Sequence, residues 1–426
     1  MRRFLSRSLF AFVLGLLFLG IQTSEVQAAT CVITSNTVID SSYVSGNSCT
    51  AIEIQGNVST TWVGTTDLGG GTVTVKTGFT MTMGASSQMI LGSTDDLVVE
   101  SGAIITHGVA DAGGVYIQAR NITVTGNIDV SSKGCTGGTV SPLATAHGPN
   151  LTTGACTAST SGFGKNNFGG AAHGGIGGAT TYPTTAQTTT YGSSALPTFL
   201  GAGGGRGNEA YGGNGGGRVH LVATGVLTIG GSIRANGGAG QSSGNGGGGG
   251  AGGSVYIKAG TLTGSGSIMA SGRNGVTQGA GGGGGRIAVY YGALGSFPLG
   301  NILSAAGSGA GGGSAGTKGT TFILDRTTDD GAGNLRVTSG LDFVAGGDYI
   351  RDTITIDSQA ALTCGSPTSL DISGTAVVMN GVSFSCASSL TRLMVSSTQP
   401  LQMSGSTISF TGAISNALFT GGEGIY

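Results

Sequence analysis

Between Glu209 and Asp325 the chain carries six cationic side chains and no carboxylate: Arg218, Arg234, Lys258, Arg273, Arg286 and Lys318. Positive charge with no negative charge interspersed is chemistry for holding an anionic polymer, because a field of one sign attracts the other. Arg218 and Arg286 occupy equivalent points of a repeated pattern with Ser254 between them, so they are expected on one edge of the fold. Tyr116, His220 and Tyr256 each follow the first apolar residue of a repeat and are expected to face outward in a column. There the rings either stack on sugars or pack on one another. The candidate binding residues are therefore Arg218, Arg234, Lys258, Arg273, Arg286, Tyr116 and Tyr256. The plainer role for the cations is to keep a glycine-rich surface soluble.

Catalytic chemistry is harder to assemble. A lyase or hydrolase acting on polysaccharide needs carboxylates for acid–base work or for a cation. Here they lie outside the repeats, at Asp95, Asp96 and Glu100, and then at Asp325, Asp329, Asp330, Asp342, Asp348, Asp352 and Asp357. The stretch DRTTDDGAGN from Asp325 to Asn334 lacks the spacing of a calcium loop and reads as a polar turn between strands. His107, His147, His173 and His220 have no G-x-S-x-G elbow before a helix to serve. No enzyme activity, metal or cofactor is expected.

The elements that must position these residues are short strands. The patterns GGVYIQARNITVTGNIDVSSKG, GGRVHLVATGVLTIGGSIRANGG, GGSVYIKAGTLTGSGSIMASGRNG and GGRIAVYYGALGSFPLGNILSAAG repeat three strands each, starting at Val115, Val219, Val255 and Ile287, with Phe322 aligned in a fifth. Period-two alternation of β-branched residues broken by glycine argues for strands, and repeats of this length argue for stacking. One apolar face per strand is buried only if repeats coil on one another, giving an all-β right-handed parallel β-helix, or β-solenoid. Glycine supplies 88 of 426 residues, whereas ~7% is usual. Glycine-rich loops are expected to project from one corner, just before each first strand, and to pack side by side in polyproline-II-like conformation. With 38% hydrophobic and 9% charged residues the chain is not disordered in composition. Its net charge of −1 suggests neither nucleic acid nor a membrane surface as partner.

The start reads as a signal peptide over residues 1–28: Arg2, Arg3 and Arg7, an apolar run from Leu9 to Ile21, and Val26-Gln27-Ala28 as the cleavage site. This implies a secreted chain with no membrane span after cleavage, and disulfides as the default state of six cysteines. They fall as Cys31 with Cys49, Cys135 with Cys156 and Cys364 with Cys386, at spacings near one solenoid turn, which would set each pair on adjacent coils. Sequence alone leaves the connectivity open. The expected organisation is N-terminal coils over 29–134, a Gly/Ser/Thr-rich insertion over 135–217, glycine-rich repeats over 218–324 and C-terminal coils over 325–426, continuous with them. Since a solenoid end needs covering, either the chain continues past Tyr426 or a partner caps it.

The combination of NIDVSSKG, GGAAHGGIGG, YGSSALPTFLGAGGG, GGGRVHL, GSIRANGG and GGGGGRIAVYY resembles the glycine-rich repeat modules of large secreted or cell-surface proteins, which look like pectin-lyase-type β-helices. The resemblance implies a fold and a surface or matrix role, and no particular activity. The expected function is that of a secreted or cell-surface structural or adhesive protein presenting an extended repetitive face, with polysaccharide or another surface protein as candidate partner. The alternatives are a polysaccharide-active β-helix enzyme and an ice-binding protein, the latter from the T-x-T pairs Thr72/Thr74, Thr80/Thr82 and Thr123/Thr125.

Overall fold

The computed structural model describes residues 29–140, 143–144, 146–158, 168–181, 189–327 and 334–337, together with the backbone of the strands from Gly340–Phe343 to Ala417–Gly421. The expected signal peptide lies outside these residues. Alternating sequence makes half-buried strands: in Thr72–Val75 the valines are fully buried and the threonines are not. Successive strands then fall into three classes in rotation. The first face stacks Thr65–Thr66, Met89–Leu91 and Val115–Ala119, and the second stacks Cys49–Ile54, Thr72–Val75, Asp96–Val99 and Ile122–Val124. The third stacks Val58–Trp62, Thr80–Met83, Ile104–His107 and Asn127–Asp129. Beyond the insertion, the long strands Arg218–Ile229, Ser254–Gly264 and Arg286–Leu294 serve the first two faces together, so that these faces belong to one sheet of seventeen strands beside the third face's eight. Inward residues of all three faces join in one apolar core. The protein is nearly all β, built on parallel sheets, and this arrangement is compatible with a β-solenoid.

Val115, Val219, Val255 and Ile287 align in register as expected, but Phe322 pairs with Ala288, one residue away from the core column, and Thr321 stands opposite Ile287. Every residue of Thr320–Leu324 is buried, so alternation is absent from that strand and its register is not readable from its pattern. The C-terminal strands are not a simple continuation either. Thr320–Leu324 pairs antiparallel with Asn334–Val337, and from there a second parallel series runs through Asp348–Ile356, Ser369–Met379, Arg392–Ser397 and Ala417–Gly421. The strands flanking this stretch thus pair antiparallel, with the Asp325 carboxylate accepting the Asn334 N–H at 2.6 Å. Asp329 and Asp330 lie outside the described residues, as do the side chains of Asp342, Asp348, Asp352 and Asp357.

Corners are braced by polar side chains. Asn36, Asn57, Asn236 and Asn274 each accept, at 2.7–2.9 Å, a backbone N–H from the following round. Two carboxylates, Asp95 and Glu100, reach the other way, to the preceding round, while Asp96 reaches forward. Buried Asp95 accepts the N–H groups of Leu68, Gly70, Gly71 and Gly92. Asp96 holds Arg120 bidentately and also Asn121, with the Arg120 bond foremost in keeping its pKa below the usual value. Glu100, lowered first by Lys76, binds Lys76 and Thr77.

Cys31–Cys49 links paired strands of the second face, as the spacing implied. Cys135–Cys156 does not join adjacent rungs. It ties the hairpin of His147–Pro149 and Cys156–Ala158 to the first glycine-rich run. Cys364 and Cys386 stand opposite each other on paired strands, and their sulfur atoms lie outside the described residues.

The glycine runs are not loose projections. Each round leaves the third face along an outgoing run and comes back to the first face along a return run, and these runs hydrogen-bond as a lattice. In the return run 247–253, residues 247, 250 and 253 donate to Gln241, Gly238 and Ala235 of the preceding outgoing run; residues 248 and 251 donate to Gly205 and Ala202 of the insertion; residues 249 and 252 donate to Ala280 and Gly283 of the next return run. The direction repeats every third residue, as an extended three-residue helix requires. Carbonyls of the same run accept from the runs around Gly213, Arg273 and Ala171, so one chain has six neighbours. Such closeness leaves no room for side chains: a Cβ on Gly249 would lie 1.8 Å from the Arg273 carbonyl oxygen. The last return run, at the end of the lattice, carries Ser314, Ala315, Thr317 and Lys318. Residues 168–178 and 199–207 of the insertion supply a third row of this lattice.

Candidate ligand-binding face

Strand register on the first face lays the predicted residues out as a grid. One row is Arg218, Ser254, Arg286 and Thr320; the next is Tyr116, His220, Tyr256, Ala288 and Phe322; the third is Gln118, Val222, Lys258, Tyr290 and Leu324. Neighbours across strands are ~4.8 Å apart. Tyr116, His220 and Tyr256 therefore stack ring on ring, with centroids 4.6 and 4.5 Å apart, and the series continues diagonally to Tyr290 and Phe322 at 5.6 Å per step. The outward column exists, and the faces of its inner rings, His220 and Tyr256, are occupied by their neighbours. Burial and the adjacent Arg218 hold the His220 pKa down to about 4, so this ring is neutral in the stack.

The grid divides into a covered and an open half. A strap, residues 191–200, lies over the last strands: Arg286 Nε donates to the Tyr191 carbonyl at 2.7 Å and Nη1 to Ser194 Oγ at 2.9 Å, Tyr290 Oη donates to the Ala195 carbonyl at 2.9 Å, and Ser254 Oγ donates to the Phe199 carbonyl at 2.5 Å. Tyr191 stacks on buried His173, whose Nδ1–H donates to the Gly252 carbonyl. Arg286 is only 1% exposed, so it braces the strap and does not meet a ligand. Tyr116, Arg218, His220, Tyr256 and Lys258 remain half-exposed.

Two of the predicted cations sit elsewhere. Arg234 belongs to the third face, where it bonds Ser232 and Asn127 and pairs with Asp129 at 3.7 Å. Arg273 is exposed on an outgoing glycine run. The threonine pairs are divided as well: Thr74 and Thr123 align on the second face with Val98 between them, while Thr80 and Thr82 lie on the third. Sequence reasoning missed the strap, although Tyr191 and Phe199, two large rings in a polar insertion, were a signal that this stretch packs against something.

Replacing Arg286 by methionine keeps the volume and removes the bonds to Tyr191, Ser194 and Thr320. Losing hydrogen bonds to a buried charge should destabilise this region by about 2–4 kcal/mol. The expected result is rapid chymotryptic cleavage within residues 191–200, where wild-type protein resists; equal resistance would show that Arg286 does not hold the strap.

Among the described residues no three His, Cys, Asp or Glu side chains converge as metal ligands, and no helix is long and apolar enough to cross a membrane. The two disulfides are compatible with an extracellular protein. No family model, curated protein or solved structure matches the chain.

Proposed function

We propose that the mature chain is a secreted or cell-surface structural or adhesive protein, a glycine-rich β-helix whose strands coil right-handedly and present an extended repetitive face. The observation that carries this reading is the glycine lattice. Ordering glycine costs more backbone entropy than ordering any other residue. A chain that fixes so much of it, and adds disulfides and charged corner braces, is built for a rigid outline and not for a moving catalytic site. Parallel strands joined by crossovers are right-handed in nearly all folds, which supports the coiling sense. The resemblance to glycine-rich surface modules points the same way.

Fractionation of the source cells tests the proposal. The protein is expected in the medium or on the cell surface, with cysteines that react with alkylating reagent only after reduction, and a deletion strain is expected to lose attachment to surfaces. A reduced, cytoplasmic protein would overturn the reading.

A further inference from the structure

We infer that the open half of the first face binds an extended anionic polysaccharide, alongside the strap; this deepens the proposed surface role and rests on it. The strap already shows what this face holds. It is a bent segment, turning at Gly192 and at Ser194–Leu196, gripped through its acceptor oxygens by a guanidinium, a phenol and a hydroxyl, those of Arg286, Tyr290 and Ser254. The uncovered strands offer the same kinds of donor: Arg218, whose Nη1 reaches the Ala112 carbonyl at 3.4 Å, is in register with Ser254 and Arg286, Lys258 is in register with Tyr290, and Tyr116 stands two strands before Tyr256 in the next row.

Charge selects the class of occupant. Among the described residues neither Arg218 nor Lys258 forms an ion pair, and there is no carboxylate in the sequence from residue 210 to residue 324. An acceptor-rich chain bearing its own negative charges supplies what these cations lack. Geometry rules against neutral sugars as the preferred ligand. Stacking a sugar needs an open ring face, and His220 lies between Tyr116 and Tyr256, while Tyr256 lies between His220 and Tyr290, so the inner rings of the column offer none. Recognition on this surface therefore runs through charge and hydroxyl hydrogen bonds, not through ring stacking.

The test uses the full mature chain, with its disulfides intact, in affinity electrophoresis against polygalacturonate, dextran and polyglutamate. Retention is expected on polygalacturonate alone, released by salt because exposed charges are screened. Lys258→Glu, at a half-exposed outward position, is expected to weaken retention by roughly tenfold or more. Arg273→Glu, off the face, is expected to leave it unchanged. Both variants should keep the wild-type melting temperature. Absence of retention on polygalacturonate, retention on dextran or polyglutamate of equal strength, or wild-type binding by Lys258→Glu would each overturn the inference. None of these results moves the fractionation outcome, so failure here is distinguishable from failure of the surface role.

Discussion

Gly249→Ala is expected to unravel the glycine lattice, observed as a large drop in melting temperature or a loss of soluble protein. The added Cβ meets the Arg273 carbonyl oxygen at 1.8 Å, an overlap that only a backbone shift relieves. That shift breaks the bond from the Gly249 N–H to Ala280 and the bond that its carbonyl accepts from Ala171, one toward the next return run and one toward the insertion. Overpacking costs about 1–3 kcal/mol and each lost bond about 1 kcal/mol, so a penalty of about 3–5 kcal/mol is expected. Gly46→Ala is the control, because a Cβ there would have no atom within 4 Å of it. It should change stability by less than about 0.5 kcal/mol. Equal melting curves for the two variants would show that the lattice is not tightly packed.

The second large effect is acid lability centred on two buried histidines. His107 donates Nδ1–H to the Gly108 carbonyl at 2.7 Å and accepts the Arg218 N–H on Nε2, while His173 sits against Gly252 and Tyr191. Burial above all pushes their pKa values down, to about 4 for His107 and about 3 for His173. An unfolded histidine titrates near 6.5, so above that pH neither state is protonated and the groups have no effect on stability's pH dependence. Below it the unfolded chain takes up protons that the folded chain refuses. Stability therefore falls from pH 6.5 down to about 4 for one and about 3 for the other. Each pH unit is worth about 1.4 kcal/mol per histidine, so at pH 5 the two together remove about 4 kcal/mol, and His220, whose pKa is also held down to about 4, adds about 2 kcal/mol.

Asp96 and Glu100 have lowered pKa values and release their contributions at lower pH, which leaves the window between pH 6.5 and 5 to the histidines. In that window the melting temperature of the wild type should fall steeply. The variant His107→Asn/His173→Asn keeps a donor near each Nδ1 position and should lose about two-thirds of the slope, the rest belonging to His220. An unchanged slope would place the acid sensitivity elsewhere.

How much of this was legible in the sequence depends on the range of the interaction. The core column from Val115 to Ile287 is set by local alternation, and the pattern shows it. The packing of glycine runs was legible because the runs recur at one corner of every repeat. Their third row was not, since residues 168–178 and 199–207 share no period with the repeats they join. Arg286 looks like Arg218 in sequence, and only a strap from about 95 residues earlier makes one structural and leaves the other half-exposed. Asp95 is another such case: its type suggested chemistry, while three of its four backbone donors, Leu68, Gly70 and Gly71, lie 24–27 residues earlier, at a corner that no local pattern marks. Phe322 was misplaced by one residue because both sides of its strand are covered.

Three-way bonding within the glycine lattice has a mechanical consequence. A β-sheet resists shear along its hydrogen bonds and yields more easily between its faces, where only side chains touch. In the lattice the bonds of residues 247–253 radiate toward several neighbours around the chain axis, so no slip plane is free of them. Attached along one corner of the sheets, such a block acts as a stiffening rib. A sideways load on the protein is then resisted most strongly in the plane that contains the rib, and bending is directed away from it.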